Sequence, residues 1–310
     1  MVKNLVEKGG LDQPILLFNR TKQRAIDLSS QLPDGKTEVA GSIADGMGEA
    51  DVIFIMLSQD DAVEATVDEM LQNNVNGKLI VDCSTVHPDT TERVAKSVEA
   101  KGAEFLTAPV FGAPAMADAG LLVGVLAGPK RTVDRAKPYF KGVMSRQDID
   151  MSDESRGKAL QLKLIGNTFI LNMVEQLAEG HVLAEKSGLG SKHLHQWQVQ
   201  SLTHRGHVRQ PADSHPRIEG MFPGPYAAYS NRMLSGDYFQ REYPLFAVDL
   251  ARKDARHALS LAKASGTRML NVETADAHLV KVKEHAGELG DIAGIYGAVR
   301  VEADLKFENK

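Results

Sequence analysis

Residues 157–180 read GKALQLKLIGNTFILNMVEQLAEG, and the organisation of the whole chain follows from them. Apolar residues recur along this stretch at helical spacing in two stripes, which predicts a helix that is buried over most of its surface. One lysine and two asparagines, Lys163, Asn167 and Asn172, interrupt the apolar pattern. These interruptions argue against a membrane-spanning segment and favour a central helix of a globular protein.

Lys163 and Asn167 are four residues apart, and on a helix this spacing puts both side chains on one face. Burial among apolar neighbours disfavours the charged form of a lysine, which lowers its pKa towards the range of an acid/base group. Lys163 is therefore a candidate catalytic residue. The alternative is structural, because lysines on apolar surfaces usually extend their ammonium groups into water.

The composition is that of an ordinary soluble globular protein. The 310 residues are 43% hydrophobic and 25% charged, which allows a sizeable core in about two domains. A net charge of −5 gives no reason to expect a nucleic acid or a membrane surface as partner. Cys83 is the one cysteine, which excludes an internal disulfide and fits a reducing compartment. We expect a cytoplasmic or mitochondrial protein.

Apolar runs and amphipathic segments alternate through the first half of the chain. Strand patterns occur at residues 15–18, 37–40, 51–57, 78–82, 104–106 and 121–126, and helical patterns at residues 22–32, 60–71 and 88–100. The alternation predicts βαβ units, and therefore a doubly wound parallel α/β sheet in a domain of residues 1–152. Strand patterns then end, and helical patterns at 246–265 and 272–286 predict an all-α domain of residues 153–310.

Residues 198–217, QVQSLTHRGHVRQPADSHPR, fit neither domain. They have no apolar periodicity and contain two prolines, which predicts a flexible inserted loop, such as an unspliced intron would encode. Together with His193 and His195 the loop holds five of the ten histidines. The cysteines and fixed spacing of a known zinc site are missing from it, so we predict no metal site.

Six segments of the chain form a series of motifs: FNRT (18–21), IMLSQDDAV (55–63), DCSTVHP (82–88), TAPVFGAPAMADAG (107–120), GKALQLKLIGN (157–167) and FAVDLARKD (246–254). In this order they resemble the β-hydroxyacid dehydrogenases, typified by 3-hydroxyisobutyrate dehydrogenase and related to 6-phosphogluconate dehydrogenase. The resemblance runs nearly end to end. It implies a Rossmann-type domain, an all-α domain, and hydride transfer between a nicotinamide cofactor and a small-molecule hydroxyacid, semialdehyde or related carbonyl substrate.

The cofactor-binding residues implied by the resemblance are Asn19, Arg20, Thr21, Leu57, Ser58, Thr85 and Lys253. Arg20 falls at the end of the family's second strand, where an arginine implies NADP, with NAD still possible. A guanidinium can bind the 2′-phosphate of the adenine ribose through two hydrogen bonds, whereas an acidic residue would bind a free 2′-hydroxyl. Without the motif, Arg20 would be interpreted as an ordinary charged residue on the surface.

Phe111, Gly112 and Ala113 fall on the family's substrate loop. Phe111 replaces a serine that helps to bind a substrate carboxylate, so a bulkier or uncharged carbonyl is expected. Backbone N–H groups around Gly112 remain able to hold an anion. Lys163 falls on the family's catalytic lysine and Asn167 on its partner. Imine reductases share the architecture but generally lack this lysine, so Lys163 favours carbonyl chemistry as general acid and base.

One element of the family pattern is absent, the GxGxxG turn between a first strand and a helix. The expected fold is thus a Rossmann-type sheet missing its first, central strand, with roughly ten to fifteen upstream residues lost through a misassigned start. The alternative function is an inactive truncated paralogue that serves as a dimerising or binding module. The family commonly dimerises through its all-α domain, so we expect a homodimer or homotetramer.

Overall fold

The computed structural model describes residues 1–203 and 223–309. The chain divides into two compact units, Met1–Leu164 and Ile165–Lys310. The last strand ends at Ser152, which is the last residue of the α/β domain predicted from the sequence. The division between the units falls later, inside the long helix that carries Lys163.

The first unit is a Rossmann-type α/β structure, which confirms the predicted fold class. Its strands are β1 (Ile15–Leu17), β2 (Thr37–Val39), β3 (Val52–Ile55), β4 (Leu79–Asp82), β5 (Glu104–Thr107), β6 (Val110–Phe111), β7 (Leu122–Gly128) and β8 (Ser145–Ser152). Its helices are α1 (Val2–Lys8), α2 (Lys22–Ser29), α3 (Ile43–Glu49), α4 (Asp60–Met70), α5 (Pro88–Ala100), α6 (Pro114–Ala119), α7 (Lys130–Ala136) and the first turns of α8 (Arg156–Lys186).

The strands form two sheets rather than one. In the described part of the chain β1 pairs in parallel with β2 alone, whereas β3, β4 and β5 form the parallel part of a separate six-stranded sheet. The sheet is therefore discontinuous between β1 and β3. Even so, Ile15 of β1 and Val52 of β3 pack against the same hydrophobic cluster.

Two strands of this unit, β6 and β8, escape the sequence patterns. β6 has only two residues, and β8 (SRQDIDMS) is mostly polar because it pairs with β7 at the margin of the sheet. β7 runs antiparallel to β5 and to β6, so the six-stranded sheet is mixed instead of fully parallel. The predicted parallel arrangement is found in β3, β4 and β5, and β7 departs from it, because an apolar run such as that of β7 indicates burial but not strand direction.

The second unit is all-α, as predicted. It contains the remainder of α8, then α9 (Ser191–Thr203), α10 (Pro223–Ser235), α11 (Asp237–Gln240), α12 (Val248–Ala264), α13 (Leu270–Ala286) and α14 (Ile295–Glu302). Its core includes Val174 and Leu177 of α8 with Leu279 of α13 and Tyr296 of α14. Across residues 1–203 and 223–309, no helix combines the length and the apolar character that crossing a membrane requires.

The helix α8 continues beyond residues 157–180 to Lys186, and Val182 and Ala184 in its last turns are buried. One prediction about this unit needs correction. The loop prediction for residues 198–217 was wrong at its start, since α9 extends through Thr203. The rest of that segment, residues 204–217, lies outside the described residues.

Candidate functional site

In the first unit the predicted cofactor residues follow the carboxyl ends of three strands. Asn19, Arg20 and Thr21 come after β1, Leu57 and Ser58 after β3, and Thr85 after β4. Since β3 and β4 are parallel, their loops leave the same edge of the sheet, which is where doubly wound proteins bind nucleotides.

Hydrogen bonds hold the loops after β3 and β4 together. The backbone N–H of Leu57 donates to the Ser84 Oγ over 2.9 Å, and the N–H of Ser84 donates to Asp82 Oδ1 over 2.9 Å. The N–H of His87 donates to Asp60 Oδ1 over 2.7 Å. Asp82 and Ser84 are each 1% exposed. The sequence analysis quoted both residues within DCSTVHP but did not recognise them as the residues that fix the loops.

The turn after β1 is held by its own first residue. The Asn19 side chain accepts a hydrogen bond of 2.9 Å from the backbone N–H of Thr21, a local turn that precedes α2. Arg20 lies between them and is exposed. The segment FNRTKQR carries two arginines, one lysine and no carboxylate.

Lys163 lies beside an aromatic ring. It is 9% exposed, and its Nζ lies 4.5 Å from the centroid of the Phe111 ring. Phe111 in turn packs against Val125, Ala127 and Ala159. A buried ammonium over an aromatic face gains electrostatic attraction that offsets part of its desolvation cost. The structure thus brings together one predicted catalytic residue and one predicted substrate residue.

Gly112 turns the chain beside this ring. Its φ is +141°, which L side chains rarely adopt, and a Cβ would lie 2.7 Å from Leu122 Cδ2. The neighbouring Ala113 precedes α6 as its N-terminal cap and is exposed. Gly112 therefore allows the tight turn that carries Phe111 to Lys163.

In the second unit Asn167 is fixed by a charged pair on α12. Its Nδ2 donates a hydrogen bond of 2.7 Å to Asp254 Oδ2, and the Nζ of Lys253 lies 3.4 Å from Asp254 Oδ1. Lys253 and Asp254 are 5% and 8% exposed. The sequence analysis did not single out this buried carboxylate, which holds the Asn167 amide. Its signal was present, because Asp254 ends the motif FAVDLARKD.

The chain is similar to known proteins over nearly its whole length. Residues 1–149 match the profile of the NAD-binding domain of 6-phosphogluconate dehydrogenase. The chain is 34% identical over 308 residues to a protein of Aspergillus ustus named NADH-dependent oxidoreductase ucdB, covering 99% of this chain and 97% of that protein. It is 34% identical over 220 residues to 3-hydroxyisobutyrate dehydrogenase of Pseudomonas aeruginosa, covering 69% of this chain and 67% of that protein.

The fold is also found among solved structures. The 3-hydroxyisobutyrate dehydrogenase of Mycobacterium tuberculosis, determined with L-serine, aligns with a TM-score of 0.72 at 22% identity, over 96% of this chain and 94% of that one. At this identity the likeness shows the shared fold alone.

Proposed function

The chain belongs to the β-hydroxyacid dehydrogenase family, and from this premise we propose that it transfers a hydride between NADP and a carbonyl or hydroxyl substrate, with Lys163 as the general acid and base. The observation that carries the proposal is the buried Lys163, whose ammonium faces the Phe111 ring on the predicted substrate loop. A dimerising module without activity is not favoured, because the relative matched over almost its full length is named an oxidoreductase.

The residues present fit the two ends of a dinucleotide. Arg20 is exposed after β1, and Thr85 follows β4 in a loop that Ser84 holds in place. When bound, the nicotinamide would supply or accept the hydride. The protein's own part is to position the substrate, to exclude water and to move one proton.

Lys163 moves that proton. In reduction its ammonium donates to the oxygen that becomes the hydroxyl group, and before transfer its charge stabilises the developing alkoxide. In oxidation the neutral amine takes the proton from the hydroxyl. The Phe111 ring shields the Lys163 ammonium from water and also attracts its positive charge, because Nζ lies 4.5 Å from the ring centroid. Asn167, held by Asp254 at 2.7 Å, presents its amide in one orientation to the substrate.

Arg20 carries the proposed preference for NADP, and calorimetric titration with NADPH and NADH tests it. The unaltered chain is expected to bind NADPH more tightly. Arg20→Ala should weaken NADPH binding by about tenfold or more, which is the value of one charge-assisted contact, and leave NADH binding nearly unchanged. Arg146→Ala, at another exposed arginine of the same unit, is the matched control. Tighter binding of NADH by the unaltered chain would contradict the preference and agree with the name of the A. ustus relative.

Phe111 carries the proposed substrate class, a carbonyl compound without a carboxylate beside the reacting carbon. Phe111→Ser introduces a hydroxyl donor, and is expected to raise kcat/KM for a carboxylate-bearing alcohol by about tenfold relative to an uncharged alcohol. Phe111→Leu is the control, because it removes the ring but adds no donor. Steady-state rates with 3-hydroxyisobutyrate and with a neutral alcohol of similar size measure the ratio. Equal ratios in both variants would show that this position does not select substrate charge.

A further inference from the structure

A cleft of about 440 Å³ opens within the helical unit, among α8, α10 and α13. The residues that line it are Phe169, Asn172, Met173, Glu175, Gln176, Glu179, Tyr226, Asn271 and Thr274. They provide two carboxylates, three amides and two aromatic rings, but neither lysine nor arginine occurs among these lining residues. The chemical character of the lining residues therefore favours a positively charged ligand.

Two buried acceptors at this wall lack a hydrogen-bond donor. Glu175 is 6% exposed, and its Oε2 has no partner among the described residues; the same holds for Asn172 Oδ1. A buried oxygen without a donor costs stability until a donor reaches it. Because both orphaned atoms accept and neither donates, the group that would satisfy them must carry N–H or O–H donors.

The neighbouring histidine cannot provide the missing donor. His278 Nδ1 lies 2.7 Å from Glu175 Oε1, and its Nε2 lies 3.1 Å from Glu302 Oε1, so both ring nitrogens already face carboxylates. The hydrogen bond with Glu175 raises the pKa of His278 above its ordinary value. The imidazolium thus balances one carboxylate, while Glu179 remains as a second negative charge at the cleft.

The cleft is separate from the residues around Asn167. The residues that line the cleft include none of Asn167, Lys253 and Asp254. Each residue turns an α-helix by about 100°, which puts Asn172 and Gln176 roughly 140° and 180° around α8 from Asn167, and Glu175 roughly 80° from it. A ligand in this cleft would occupy a second site, not the one proposed for the reaction.

We propose that this cleft binds a small organic ammonium ion. Its N–H groups would donate to Glu175 Oε2 and Asn172 Oδ1, and Glu179 would add a second charge. The rings of Phe169 and Tyr226 offer faces for the carbon chain and the cation. The hydroxyl of Tyr226 donates to Gln176 Oε1 over 3.2 Å, which ties α10 to α8 along one wall.

Calorimetry on the full chain tests the proposal with butylammonium chloride, with butanol as the neutral probe and butyrate as the anionic one. Butylammonium is expected to bind, more weakly at high salt, and the other two to give no signal. Glu179→Gln should weaken butylammonium binding by about tenfold, because it removes a charge-assisted contact. Glu288→Gln, at an exposed glutamate of the same unit, should leave binding unchanged.

Other outcomes overturn the proposal. Equal binding of butanol and butylammonium would show an apolar cleft without selection for charge. Absence of binding, with a change of oligomeric state in Glu179→Gln, would show that a second copy of the chain covers this surface. Glu175→Gln removes one of the two unpaired acceptors but also breaks the ion pair with His278. Its circular dichroism spectrum must therefore match that of the unaltered chain before its affinity for butylammonium is interpreted. If Glu175→Gln does not fold, Asn172→Ala takes its place as the test variant.

Discussion

Lys163→Ala is expected to lower kcat by about 10²- to 10⁴-fold, which is the usual contribution of a positioned acid/base group. The affinity for the nicotinamide cofactor should stay the same, because the residues proposed to bind the cofactor lie at the ends of β1, β3 and β4 and on α12. Single-turnover rates measure the chemical step, and calorimetry measures cofactor binding.

Lys158→Ala is the matched control for this variant. Lys158 lies on the same helix, is exposed, and pairs with Glu154 one turn earlier. Its loss should cost at most a few tenths of a kcal/mol in stability, as for other exposed helical ion pairs, and should leave turnover unchanged. If Lys163→Ala keeps full turnover while it still binds the cofactor, Lys163 has a structural role and the proposed proton transfer is wrong.

Asp291→Ala is expected to destabilise the helical unit by about 3–5 kcal/mol, the usual loss when one partner of a buried ion pair is removed. Asp291 is 2% exposed, and Arg232 Nη2 lies 2.9 Å from its Oδ2, close enough for an ion pair although the angle is poor for a hydrogen bond. The same carboxylate accepts hydrogen bonds from the backbone N–H groups of Leu245, Phe246 and Ala293. Truncation would leave a buried guanidinium and three N–H groups without this acceptor.

Denaturant unfolding followed by circular dichroism measures the effect, and hydrogen exchange in the helical unit localises it. Asp276→Ala is the control, because Asp276 pairs with Arg252 at 3.3 Å in a partly exposed position and should contribute no more than about 1 kcal/mol. Equal losses in the two variants would show that the network around Asp291 is no stronger than a surface pair.

The periodicity of the sequence predicts much of the first unit correctly. The helix α5 begins at Pro88 and ends at Ala100, as the pattern of residues 88–100 predicts, because proline suits the first turn and the apolar positions repeat at helical spacing. The strands β3 and β4 follow from apolar runs that only a buried strand tolerates. Strand β8 was not predicted, because one face of a marginal strand stays in water and its sequence resembles a polar loop.

The features of the candidate site also divide into those predicted from the sequence and those that only the structure revealed. The sequence by itself determined that Lys163 and Asn167 lie on one helix, since helical spacing is a local property that neighbouring residues specify. Only the tertiary structure decided that Lys163 meets Phe111 and that Asn167 meets Asp254, because these partners are far apart in the chain and their approach depends on how strands and helices pack. Local sequence thus specifies which element carries a side chain. Packing between distant elements specifies which partner holds that side chain and whether the side chain can remain charged.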